Sequence, residues 1–120
     1  MIVAISSEGN DLNSNVDPRF GRAKYFVIYN TETDNYSVID NKQNINASQG
    51  AGIQAAQNVA NQNVAIVISG NLGPKAYDTL TSAGIKTVHW SNGTVKEAIE
   101  LIKEDKLQFA DGANVEGHWT

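Results

Sequence analysis

The chain has 120 residues, 41% of them hydrophobic, which is enough for one core and too little for two. Nine basic against thirteen acidic residues give a net charge of -4, and no block of Lys or Arg would track a phosphate backbone, so nucleic acid is not an expected partner. The absence of cysteine excludes a disulfide framework and any zinc or iron-sulfur site ligated by the chain's own thiolates.

Met1 leads directly into the β-branched run Ile2 to Ile5, with no basic segment and cleavable apolar stretch, and no run approaches the roughly 20 residues of a membrane span. A cytoplasmic protein without membrane association is expected. Strand-like runs at Tyr25 to Tyr29 and Tyr36 to Ile39 flank the polar turn Asn30 to Asn35, which predicts a hairpin.

The rhythm then changes. Ile53, Ala56, Val59 and Ala60 predict a helix, and the continuous apolar run Val64 to Ile68 predicts a buried strand. Pro74 opens a second helix from Lys75 to Ala83, because proline at the first helical position removes only an amide that has no intrahelical partner; Gly84 ends it. Ile85 to Trp90 is the next strand and Ser91-Asn92-Gly93 a turn. Thr94 and Glu97 have capping-box spacing for a third helix to about Glu104, whose apolar face is Val95, Ala98, Ile99 and Ile102. This order predicts an α/β sandwich, a mixed sheet of about five strands with a hairpin edge and helices on both faces. Residues 1–107 form the domain and 108–120 an irregular tail, from which Phe109 and Trp119 can dock on the body.

Three segments can carry chemistry. The first is the loop Val16 to Ala23, which holds the only two arginines, Arg19 and Arg22, beside Pro18 and Gly21. Two guanidinium forks so spaced suit an oxyanion or carboxylate; the alternative is that Asp17 pairs with one arginine and Phe20 anchors the loop in the core. The second is Ser69 to Lys75, a strand-to-helix turn containing Gly70, Asn71 and Gly73, where backbone amides and a helix N-terminus favour negative charge. It lacks a P-loop ending and a dinucleotide fingerprint, so a purely structural turn is the competing reading. The third is Gln49 to Gly52, with Gly50 and Gly52 at or before the first turn of the first helix. The three become a site if the fold brings them to one end of the sheet.

His89, on a strand, and His118, in the tail, lie outside any metal-binding spacing. The first strand carries no carboxylate for a two-metal nuclease, and no Gly-x-Ser-x-Gly elbow is present, so catalysis is not expected.

Val16-Asp17-Pro18-Arg19-Phe20-Gly21-Arg22-Ala23-Lys24-Tyr25-Phe26, followed by Gly70-Asn71-Leu72-Gly73-Pro74-Lys75-Ala76 and by the stretch from Gly84 to Ile99, resembles the dinitrogenase iron-molybdenum cofactor-binding and biosynthesis family, the NifX and NifB C-terminal type. The resemblance runs from Met1 to about Leu107. It implies a ribonuclease-H-like three-layer fold without nuclease chemistry, and non-covalent binding or carriage of an anionic iron-molybdenum-sulfur or other molybdenum-containing cluster. On that reading the binding residues are Arg19, Phe20, Gly21 and Arg22 with Gly50, Gly52, Gly70, Asn71, Gly73 and Lys75. Cofactor-assembly proteins are the implied partners, with the chain a monomer or weak homodimer. Without cysteine, any cluster must be gripped by charge, amides or histidine. A sensor for a phosphate-bearing small molecule and a partner-docking module remain alternatives on the same fold.

Overall fold

The computed structural model describes residues 1–47 and 49–114. Its elements are β1 (Ile2–Ser7), β2 (Tyr25–Asn30), β3 (Tyr36–Asp40), a short 3-10 turn (Lys42–Asn44), α1 (Ala51–Ala60), β4 (Ile66–Ser69), α2 (Pro74–Ser82), β5 (Lys86–His89) and α3 (Val95–Lys103). The five strands form one sheet in the order β3-β2-β1-β4-β5. β1 pairs antiparallel with β2 and β2 with β3, while β1, β4 and β5 run parallel. The expected mixed sheet with a hairpin edge is what forms.

Alternation along each strand splits the core into two layers. Ala4, Phe26, Ile28 and Val67 face α1 and α2, packing on Ala55, Val59, Ala76 and Leu80. Val3, Ile5, Ile68 and Val88 face the other way, onto the Val95, Ala98, Ile99 and Ile102 stripe of α3. The capping box forms as the spacing predicts: Thr94 Oγ1 accepts from the Glu97 amide, and the Glu97 carboxylate accepts from the Thr94 amide.

This topology decides where a site can lie. Because β1, β4 and β5 are parallel and their connections cross over through helices, all three helices begin at the end where those strands finish. Each helix N-terminus carries a partial positive charge of roughly half a unit. No helix among the described residues is long and apolar enough to cross a membrane. The tail from 108 to 114 does dock: the Ala110 amide donates to the Thr87 carbonyl on the free edge of β5, and Lys86 Nζ lies 4.8 Å from the centre of the Phe109 ring. Trp119 and His118 lie outside the described residues.

Candidate functional site

The long loop after β1 fastens the starts of the helices to one another. On the α3 side, the Val95 and Lys96 amides donate to the Ser14 and Leu12 carbonyls, and the Val16 amide donates to Gly93. Together with the Thr94 cap, these bonds satisfy the first-turn amides of α3, leaving that N-terminus no donor for a ligand.

The other two helices start differently. α2 has Gly73 at its N-cap with Pro74 behind it, and among the described residues no side chain caps its first turn. α1 has Gly50 at its N-cap, at φ 79° in the left-handed region that glycine adopts without a Cβ penalty, and again no side-chain cap among the described residues. Gly52 is buried within the first turn of α1, so its contribution to any ligand is its backbone amide alone. α1 and α2 pack against each other on the same face of the sheet, so both uncapped ends lie at the same edge of one layer.

The arginine loop runs past both. The Asn71 amide donates to the Pro18 carbonyl at 2.6 Å and the Phe20 amide donates to the Asn71 carbonyl at 3.1 Å, so Arg19 is held level with Asn71. The first and second candidate segments therefore do converge. Arg19 keeps 47% of its side chain exposed, with Nε 3.9 Å from Asp17 Oδ1. Asp17 is buried, its carboxyl pushed above the usual carboxylate range by burial, an effect that the Arg19 amide and guanidinium only partly offset. Lys75, in the first turn of α2, is exposed.

Four expected binding residues have other work. Phe20 is fully buried in the α1/α2 layer, its ring 5.1 Å from that of Phe26, so its side chain anchors the loop and has no exposed surface. Arg22 is half-buried: Nη1 donates to the Ile45 and Ala47 carbonyls at 3.0 and 2.8 Å and lies 3.4 Å from that of Asn44, clasping the segment that leads into α1. Gly21 is buried, and its carbonyl accepts from Asn41 Nδ2. Gly70 is glycine for space: a Cβ there would stand 2.7 Å from the Pro18 carbonyl oxygen and 2.8 Å from Pro18 Cα. The arginine pair is thus divided between an exposed cation and a structural clasp.

Spacing did not point to three asparagines. Asn41 and Asn44 are buried and bonded to each other, with Asn41 Nδ2 also 2.8 Å from the Ala23 carbonyl. Asn114 reaches the Gly70 to Leu72 turn from the tail: Oδ1 accepts from the Leu72 amide at 2.7 Å and Nδ2 donates to the Gly70 carbonyl at 2.9 Å. The density of asparagine between 41 and 46 was the available signal for the first two; nothing local marks the third.

Beneath the site, Ser6 Oγ and Ser69 Oγ lie 2.8 Å apart in neighbouring strands, and Ser6 Oγ also donates to the Asp17 carbonyl. Ser69 is in register with His89, whose Nε2 has no hydrogen-bond partner among the described residues and whose pKa is lowered by burial. Among the described residues no three His, Cys, Asp or Glu side chains gather as a metal cage. The chemistry that the candidate residues offer is the exposed Arg19 guanidinium, the exposed Lys75 ammonium and helix-start amides, a set that suits an anion through charge and hydrogen bonds.

A five-stranded mixed sheet with three helix starts at one end places the chain among small α/β domains. Residues 1–105 match the family model described as dinitrogenase iron-molybdenum cofactor, and the chain belongs to that family. It is similar to the orange protein (ORP) from Desulfovibrio gigas, seen in its apo form, with 36% identity, TM-score 0.92, and 95% and 96% of the two chains covered. It is also similar to a putative NifB protein from Thermotoga, with 40% identity, TM-score 0.83, and 97% and 98% covered. An uncharacterised protein of Methanocaldococcus jannaschii is 34% identical over 99 residues, 80% of this chain and 83% of that one.

Proposed function

We propose that the protein is a non-catalytic holder and carrier of an anionic metal-sulfur cluster, an iron-molybdenum cofactor precursor or a related molybdenum cluster, taken as cargo at the helix-start end of the sheet. The observation that carries this reading is Arg19: a half-exposed guanidinium on a strap bonded to Asn71, beside the uncapped start of α2. Membership in the cofactor family supports the choice of cargo. The donor set fits such a cargo. With no cysteine in the chain there is no thiolate to compete for the metal, so a preformed cluster is held by its outer charge and can be handed on intact. Arg19 and Lys75 supply charge, and the first turns of α1 and α2, including Gly52 and the turn after Gly73, supply amides. Transfer would be to a cofactor-assembly protein, from a monomer or weak homodimer.

Anaerobic titration of the protein with tetrathiomolybdate, followed by absorbance, tests this. A saturable complex is expected, weakened roughly tenfold or more by Arg19→Ala, the scale of a lost charge-assisted hydrogen bond. Undiminished binding by that variant would remove the loop from the site. The same cationic end would also suit a phosphate-bearing metabolite, and a selective thermal shift with nucleotides in place of tetrathiomolybdate would turn the reading towards a sensor.

A further inference from the structure

The turn between β4 and α2 is held from two sides. From the β1 side, the arginine loop takes both backbone groups of Asn71, accepting its N–H at Pro18 and giving it the Phe20 N–H. From the tail, Asn114 holds the residues on either side: its carboxamide bonds the Leu72 amide and the Gly70 carbonyl, and its own amide donates to the Leu72 carbonyl at 3.1 Å. A carboxamide has one acceptor and one donor group in fixed relation, so it satisfies the two flanking residues of the turn as an added peptide group would. Asn114 reaches the turn from beyond residue 105, where the family match ends, along a strap that first bonds the edge of β5 at Thr87.

We infer that Asn114 is a positioning residue for the anion-holding end, setting the Gly70 to Leu72 turn and, through Asn71, the placement of Arg19. The inference rests on the carrier reading for its ligand but not for its geometry. Leu72 is fully buried, and Gly70 lies so close to Pro18 that even a Cβ would not fit between them, so the turn is packed directly on the Pro18 side. Loosening the Asn114 side must then loosen the bonds on the Pro18 side. A residue that merely tied down the tail would affect the tail and the Leu72 amide alone.

Amide hydrogen exchange on the full ligand-free chain decides this. Asn114→Ala should speed exchange at Leu72 and also at Asn71 and Phe20, by about tenfold, the scale of one lost hydrogen bond, while amides in β1 and α3 keep their rates. Asn114→Asp keeps an acceptor for Leu72 and should fall between wild type and Asn114→Ala. In parallel, tetrathiomolybdate should bind Asn114→Ala severalfold more weakly, with the melting temperature nearly unchanged. Unaltered exchange at Asn71 and Phe20 would overturn the inference. If the wild-type protein binds no tetrathiomolybdate, the carrier reading fails by itself, and exchange at those two amides still decides the role of Asn114.

Discussion

Asp17 engages Arg19 twice through one oxygen: Oδ1 accepts from the Arg19 backbone amide at 2.9 Å and lies 3.9 Å from the guanidinium Nε. The first contact shapes the loop, and the second subtracts from the positive field that Arg19 presents to a ligand. Asp17→Asn separates them, since an amide oxygen can still accept from Arg19 while the charge is gone. Tetrathiomolybdate affinity should rise severalfold, most at low salt where the field is least screened. Burial raises the carboxyl pKa in the folded state above the ordinary 3.8, so the ionised group costs stability above that folded pKa. The variant should therefore be at least as stable as wild type at neutral pH, with any advantage shrinking as pH falls towards 3.8. Melting curves across that range, beside titrations at two salt concentrations, measure both effects.

The two arginines should fail in different ways. Arg19 is exposed and, among the described residues, its side chain makes only a long contact with Asp17, so Arg19→Ala should leave the melting temperature nearly unchanged. Arg22→Ala strips the Ile45 and Ala47 carbonyls of a charged donor. Hydrogen bonds to charged groups contribute about 1.5–3 kcal/mol, so this variant should lose stability on that scale. Chemical denaturation of both variants checks the division; equal losses would mean that the clasp is not the main work of Arg22.

That division marks the limit of what sequence pattern reveals. Helix α3 was legible because its cap, Thr94 with Glu97, and its apolar stripe are local and agree with each other. β4 was legible as a β-branched run between turn residues. The convergence of Val16 to Ala23 with Ser69 to Lys75 followed from the sheet topology those elements imply. The fates of Arg19 and Arg22 were not legible, because three residues of spacing do not say which fork meets the carbonyls of Ile45 and Ala47. Asn114 was hidden for another reason: its partners lie more than forty residues away, and a single polar residue in an aliphatic-poor tail carries no periodic signal.

Gly70 tests how tightly the site is built. An added Cβ would meet the backbone of Pro18 and the Ser91 hydroxyl, each within 2.8 Å. Ser91 can turn aside but Pro18 cannot, since its carbonyl accepts from Asn71. Gly70→Ala should cost about 3 kcal/mol, the upper end for overpacking, and should weaken tetrathiomolybdate binding through the displaced loop. Gly112, with nothing within 4 Å of its would-be Cβ, supplies the control: Gly112→Ala should change stability by less than about 0.5 kcal/mol.

His89 should make the stability of the protein fall in mild acid. Its pKa is depressed below the ordinary 6.5 by burial alone, with no neighbouring charge contributing, and Nε2 lacks a partner among the described residues. A depressed folded pKa means that the unfolded chain takes up the proton first. The stabilisation is complete above pH 6.5 and is lost as pH falls from there through the folded value. Denaturation midpoints measured between pH 8 and pH 5 should therefore decline for wild type, and the decline should flatten in His89→Gln, which keeps a polar side chain without a titrating one. Because His89 is in register with Ser69, directly before the Gly70 turn, its protonation adds positive charge near the anion-holding end, so tetrathiomolybdate binding should strengthen as pH falls below 6.5, before the protein unfolds. Binding that holds constant over that range while stability falls would separate His89 from the site.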